Sequence, residues 1–216
     1  MQSMQKKEAF AEKIYQKLLE NYPEAACSLR HRDPWQLLIA TILSAQCTDK
    51  QVNKVTNKLF KKYKNAREMA EGNINDIKNI IRPTGFYNNK AKSIQGASRY
   101  IIENNDGKVP DTMEELLELP GVGRKTANVV LGDGFGTPGV VVDTHVKRIS
   151  NRLGLTDNND PEKIEQDLMK ILPKETWTPF GHLMIAHGRS LCKARNPRCE
   201  HCFLQSDCPA ADNFLE

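Results

Sequence analysis

The chain has 216 residues, enough for one large domain or two small ones with a real core. Hydrophobic residues make up 39% and charged residues 27%, the balance of a soluble globular protein, and no apolar run approaches the roughly 20 residues of a membrane span. The formal net charge of +4 fits a nucleic-acid partner without requiring one. The stretch Met1 to Glu12 is polar and charged, unlike a secretory signal, so an intracellular protein is expected. In such a reducing compartment six cysteines point to a metal centre or buried thiols rather than disulfides.

Taken in order, Phe10, Ile14 and Leu18 recur every four residues, with Ala11 and Tyr15 beside them, and predict an amphipathic helix ended by Asn21-Tyr22-Pro23. Asp33-Pro34 is a cap followed by proline at the first helical position. The helix after it, Trp35 to Ala45, is apolar nearly all round and belongs at the centre of a core. Thr48 with Gln51 forms a capping box, and Val52, Val55, Leu59 and Phe60 line one face of the next helix. Short helices are expected over Ala66 to Ala70 and Ile74 to Ile81, the latter ending at Pro83. A glycine loop, Thr84-Gly85-Phe86-Tyr87, runs into a helix with Ile94, Ala97 and Ile101 inside, closed by Asn104 to Gly107. Cys27 and Cys47 stand alone and read as buried small hydrophobes.

The stretch Asp111 to Gly134 is the organising element. Thr112 and Glu115 form a capping box, Leu116, Leu117 and Leu119 give an apolar side, and Pro120-Gly121 stops the helix. Gly121 and Gly123 open backbone conformations closed to other residues. A second helix begins near Arg124 and ends at Gly132 and Gly134. Glycine-turned helical hairpins are common. The tip of this one nevertheless presents N–H groups and the positive end of a helix dipole, which suits a phosphate. Beyond it, Gly139 to Val142 has strand composition but no partner strand, so an extended buried connector is expected. Asp143 or Thr144 then caps a helix with Val146, Ile149 and Leu153 inside. Asp160-Pro161 opens another with Ile164, Leu168, Ile171 and Leu172 inside, and Trp177 to Leu191 forms a last apolar helix. The class is all-α, with about ten helices.

The tail carries Cys192, Cys199, Cys202 and Cys208, spaced C-x6-C-x2-C-x5-C. Thiolate zinc sites usually carry two close pairs, and here only Cys199 and Cys202 make one. The open spacing suits a larger cluster better. His201, inside this loop, is expected to face solvent. Lys193, Arg195 and Arg198 lie between the first two cysteines, either as a solvated basic loop or as contacts to DNA phosphates.

These motifs together resemble the endonuclease III family of the helix-hairpin-helix DNA glycosylase superfamily. The resemblance rests on Leu-Pro-Gly-Val-Gly-Arg-Lys-Thr-Ala from Leu119, on Val-Asp-Thr-His-Val from Val142, and on the four-cysteine loop; it spans about Pro34 to Cys208. It implies two helical domains with a DNA-binding cleft between them, one of residues 27–137 and the other joining 1–26 to 138–216. It also implies a 4Fe–4S cluster on the four cysteines, with a structural role. Lys125 is implied as the Schiff-base nucleophile and Asp143 as the acid/base and charge stabiliser, facing each other across that cleft. An amine attacks carbon only when neutral, and a helix dipole and Arg124 both disfavour a second positive charge at that position. The loop Leu-Ser-Ala-Gln-Cys-Thr-Asp makes Gln46 a candidate to fill the hole left by a flipped base. Phe86 is a candidate wedge, where the family more often has leucine or another apolar residue. Gly121, Val122, Gly123, Arg124 and His145 complete the expected DNA contacts.

The implied activity is excision of oxidised pyrimidines from duplex DNA followed by strand cleavage through β-elimination, by a monomer. A monofunctional adenine-type mismatch glycosylase would carry a carboxylate on the helix before Gln46, and none occurs from Pro34 to Thr48. A non-enzymatic DNA-binding module would not require Lys125 and Asp143 together.

Overall fold

A computed structural model describes residues 4–215. Within them eleven α-helices follow in order: α1 (Met4–Asn21), α2 (Pro34–Ser44), α3 (Asp49–Lys62), α4 (Ala66–Glu71), α5 (Ile74–Ile81), α6 (Tyr87–Asn104), α7 (Met113–Leu117), α8 (Arg124–Val129), α9 (Thr144–Arg152), α10 (Pro161–Ile171) and α11 (Trp177–Ser190). No strand occurs among the described residues. The chain divides into two compact units, Cys27–Thr137 and Met1–Ala26 with Pro138–Glu216.

In the first unit, every residue of α2 from Trp35 to Leu43 is buried. Asp33 starts this helix by accepting the Gln36 N–H at 2.8 Å, and Pro34 occupies the first turn without wasting a donor. Around α2 pack Val52, Val55 and Leu59 of α3, Ile77 and Ile81 of α5, and Ile94, Ala97 and Ile101 of α6. Trp35 Nε1 donates to Ser98 Oγ at 3.1 Å, which satisfies the one polar atom of that buried ring. Asn65 and Asn73 cap α4 and α5 with their side chains.

α5 spans Ile74–Ile81 as its sequence predicts, and the chain then runs on through a 3-10 turn, Arg82–Thr84. Other expectations are corrected. Of the hairpin leucines, Leu116 and Leu119 are buried, whereas Leu117 is 42% exposed, because it stands off the face that meets the core. Helical geometry stops at Gly134 as expected, but α8 widens before it into a π-turn over Val130–Gly134, which lies against the start of α2, where Gly134 approaches Pro34 and Leu37. Cys27 and Cys47 are only half-buried; burial, with Asp133 nearby, pushes the Cys27 thiol up to about 11.

The second unit is built on Ala11, Ile14 and Leu18 of α1, Val146 and Ile149 of α9, Ile164 and Leu168 of α10, and Phe180, Leu183 and Met184 of α11. The segment 139–142 is an extended connector with Val140 and Val141 buried. Gly139 is fixed through its N–H and carbonyl to the Thr178 hydroxyl, each at 3.3 Å. Lys13 and Lys17 of α1 grip Asp207 from both sides, at 2.5 and 2.7 Å, and so hold the cysteine-rich tail to the helices.

Candidate nucleic-acid interface and cysteine centre

The hairpin is set by a left-handed turn. Gly121 lies at φ +80°, and a Cβ there would stand 2.6 Å from Ser93. Glycine is therefore required both by conformation and by space. Gly123 is different from the sequence expectation. Its φ of −108° suits any residue, and a Cβ would meet nothing within 4 Å. What Gly123 does provide is an N-cap with no side chain, so no side-chain oxygen competes for the first-turn N–H groups of α8. Val122 has a buried side chain and an N–H that donates to Leu119 O at 3.1 Å, so it anchors the turn from inside. Lys125, one residue into α8, is exposed, and Arg124 beside it is half-buried.

Gln46 and Phe86 share a property that sequence patterns do not reveal. Both are non-glycine residues in the left-handed region, at φ +52° and +48°. Such a conformation costs an L-residue about 1–2 kcal/mol and persists only where the surroundings enforce it. Gln46 is exposed just after α2. Phe86, at the start of α6, is 65% exposed, an apolar ring presented to solvent with its backbone under strain. That is the form expected of a wedge.

In the second unit, Asp143 is the N-cap of α9. Its Oδ1 accepts the N–H groups of His145 and Val146 at 2.8 and 2.9 Å. His145 is half-buried, and burial holds its ring below the ordinary imidazole range, with Asp143 opposing and Arg148 adding to the effect. Arg148 Nη2 lies 3.1 Å from His145 Nδ1, and the ring also meets the Gly188 backbone.

Two arginines one turn apart on α9 were not singled out from sequence. Arg148 Nη2 donates to Cys192 O at 2.7 Å; Arg152 donates through Nη1 to Lys193 O at 2.8 Å and through Nη2 to Ala194 O at 3.2 Å. Three successive carbonyls at the start of the cysteine loop are thus held by the helix that Asp143 caps. Lys193, Arg195 and Arg198 project from this loop as exposed cations. The spacing of Arg148 and Arg152 at i, i+4 was visible, but their acceptors lie some forty residues later in irregular chain.

Cys192, Cys199, Cys202 and Cys208 line one cavity together with Arg152, Leu153, His187 and Leu204. Among the described residues, no group of three or more His, Cys, Asp or Glu side chains converges as a single-ion site would. Four thiols lining one cavity, in the open sequence spacing noted above, fit a multinuclear cluster better than zinc. Burial and mutual proximity push the free thiols of Cys199, Cys202 and Cys208 upward. Bound iron reverses that cost by taking the thiolates as ligands. Arg152 Nη1, 3.2 Å from Cys192 Sγ, adds a compensating donor. His201 is exposed, whereas His187 is 2% exposed, with Nε2 3.8 Å from Cys202 Sγ and Nδ1 3.2 Å from the Tyr22 hydroxyl.

Comparison with known proteins agrees with this geometry. The family model described as HhH-GPD superfamily base excision DNA repair protein matches residues 39–174. The iron-sulfur binding domain of endonuclease III matches residues 192–208, the span from first to last cysteine of the loop. Endonuclease III of Synechocystis is 54% identical over 212 residues, covering 98% of this chain and 97% of its own. Endonuclease III of Escherichia coli is 42% identical over 195 residues, covering 90% and 92%. Among solved structures, a non-covalent endonuclease III–DNA complex superposes with a TM-score of 0.91 at 42% identity, covering 99% of this chain and 98% of that one. A trapped endonuclease III–DNA covalent intermediate gives the same TM-score and identity, covering 99% of each chain.

Proposed function

The chain belongs to the endonuclease III family of HhH-GPD base excision repair proteins, a DNA glycosylase and abasic-site lyase with a 4Fe–4S cluster, and we propose that Lys125 is its nucleophile and Asp143 its acid/base partner. The observation that supports this most is the placement of an exposed Lys125 at the uncapped start of α8, directly after the glycine turn. An oxidised pyrimidine in duplex DNA is the substrate, and the nucleoid is where a monomer of this chain acts. No helix among the described residues is long and apolar enough to cross a membrane.

The damaged nucleotide leaves the stack and enters the protein, while Gln46 and Phe86 occupy the space it vacates. Departure of the base gives the sugar oxocarbenium character, which the Asp143 carboxylate stabilises. The neutral Lys125 amine forms a bond to the anomeric carbon as the glycosidic bond breaks, and its proton passes to Asp143. The ring C–O bond then opens to give an iminium, its oxygen taking the proton that Asp143 holds. The freed carboxylate accepts the acidified neighbouring C–H proton as the 3′ phosphate leaves, so the strand is cut by β-elimination and water later releases the lysine. Lys193, Arg195, Arg198, His145 and the first-turn N–H groups of α8 hold backbone phosphates. The 4Fe–4S group, held by Cys192, Cys199, Cys202 and Cys208, supplies a structural brace for the basic loop and no chemistry at the sugar.

The test is a duplex carrying one oxidised pyrimidine. Strand scission to the β-elimination product without alkali supports the reading. Base release that leaves the strand intact until alkali is added would overturn it in favour of a monofunctional glycosylase.

A further inference from the structure

Lys90 is 5% exposed, in the first turn of α6. A lysine in a helical core is expensive unless its donors are used, and here they are. Nζ donates to Leu43 O at 2.9 Å and to Thr84 O at 2.8 Å. Each acceptor stands shortly before one of the two strained residues: Leu43, the penultimate residue of α2, lies three residues before Gln46, and Thr84 lies two residues before Phe86.

The first of these acceptors is one that the fold itself leaves over. The last carbonyls of α2 have no partner inside the helix. Thr41 O takes the Ser44 hydroxyl at 2.8 Å, and Ser44 O takes the Cys47 N–H at 3.0 Å. Leu43 O takes the Lys90 ammonium, a cation placed at the negative end of the α2 dipole. The second acceptor belongs to a chain already under restraint, since the Thr84 hydroxyl donates to Ile81 O at 2.8 Å. The Lys90 backbone adds a third tie, its N–H donating to Phe86 O at 3.1 Å. One side chain and its own amide therefore join the base of both loops to the same turn of α6.

We propose that Lys90 is a positioning residue that locks the Gln46 and Phe86 loops in register, so that both side chains enter the duplex together when a base is flipped. This rests on the wedge reading of those two residues given above. The two loops arise from segments forty residues apart, and although α2 and α6 share one core, Lys90 supplies the polar tie at the loop end of that contact. The strain at Gln46 and Phe86 is held in place by this bridge, ready before DNA arrives, which spares the ordering cost at binding. Burial pushes the Lys90 ammonium below its ordinary range, as a desolvated cation held by neutral carbonyls requires.

The experiment is a double-mutant cycle on the full chain with its cluster, combining Lys90→Met with Gln46→Ala/Phe86→Ala. Two substrates are compared: a duplex with an oxidised pyrimidine, and a single-stranded abasic oligonucleotide, which has no stack to open. In the wild-type loops, Lys90→Met should lower duplex excision about ten- to a hundred-fold while borohydride trapping on the single strand is retained. A 2-aminopurine opposite an abasic analogue should lose its fluorescence rise on binding. In the Gln46→Ala/Phe86→Ala background, Lys90→Met should change duplex excision no further, because the groups it positions are gone. An equal loss in both backgrounds, or full duplex excision in Lys90→Met, overturns the proposal. Wild-type excision and fluorescence in Gln46→Ala/Phe86→Ala alone would instead remove the wedge reading, and the proposal with it. Should Lys90→Met not fold, Lys90→Arg, which keeps the charge but changes its reach, goes through the same cycle, and the same outcomes support or overturn the proposal.

Discussion

The carboxylate of Asp143 accepts the Val146 N–H at 2.9 Å through Oδ1, and the same oxygen takes the His145 N–H. The cap thus engages one oxygen of the residue proposed as acid/base partner and fixes its direction. Capping and catalysis can then be separated. Asn caps a helix about as well as Asp, so Asp143→Asn should leave the melting temperature close to wild type, whereas Asp143→Ala should cost about 1 kcal/mol. Both should lower excision by about a hundred-fold or more. Calorimetry beside single-turnover kinetics checks this; activity that follows stability across the two variants would reduce Asp143 to a cap.

The two hairpin glycines should behave differently. Gly121→Ala forces a side chain into a left-handed turn and against Ser93, and should destabilise the protein by about 1–3 kcal/mol. Gly123→Ala meets no protein atom, and should cost less than about 1 kcal/mol. Its added methyl lies where a phosphate would approach, so DNA affinity should fall with little loss of stability. Thermal melting and fluorescence anisotropy on the same samples separate the two effects. Unchanged affinity in Gly123→Ala would move the phosphate contact away from the hairpin tip.

Arg148 and Arg152 should act on DNA binding through the cysteine loop. Lysine cannot reproduce a guanidinium fork that reaches separate carbonyls. Arg148→Lys/Arg152→Lys should therefore loosen residues 192–199, speed proteolysis there and hasten loss of the iron–sulfur absorbance. The salt dependence of DNA affinity should become shallower as Lys193, Arg195 and Arg198 lose their fixed positions. Unaltered protease resistance and salt slope would show that the cluster alone holds the loop.

Much of this was legible in the residues because it follows from local rules. Asp33, Thr48, Thr112, Asp143 and Asp160 each cap the helix their sequence announces. The apolar run of α2 is central because no polar face exists to turn outward. What stayed hidden was non-local. The spacing of Lys90 to Ile94, Ala97 and Ile101 puts it on their buried stripe, but nothing local announces a buried lysine; only its carbonyl acceptors make that burial tolerable. Nothing in Ser-Ala-Gln or Gly-Phe-Tyr announces left-handed backbone at Gln46 and Phe86. Val122 and Gly123 were read by motif, and tertiary packing assigned them different tasks, an internal anchor and an open cap.

The central claim is that Lys125 forms the imine, and borohydride trapping tests it most directly. The protein is mixed with duplex DNA carrying an abasic site or an oxidised pyrimidine, reduced, and examined for a covalent complex, with Lys125→Gln alongside. We predict a cross-link on both substrates that maps to the Lys125 peptide and is absent in Lys125→Gln, which still binds DNA. A cross-link of wild-type yield in Lys125→Gln, or none in the wild type despite tight binding, would contradict the account.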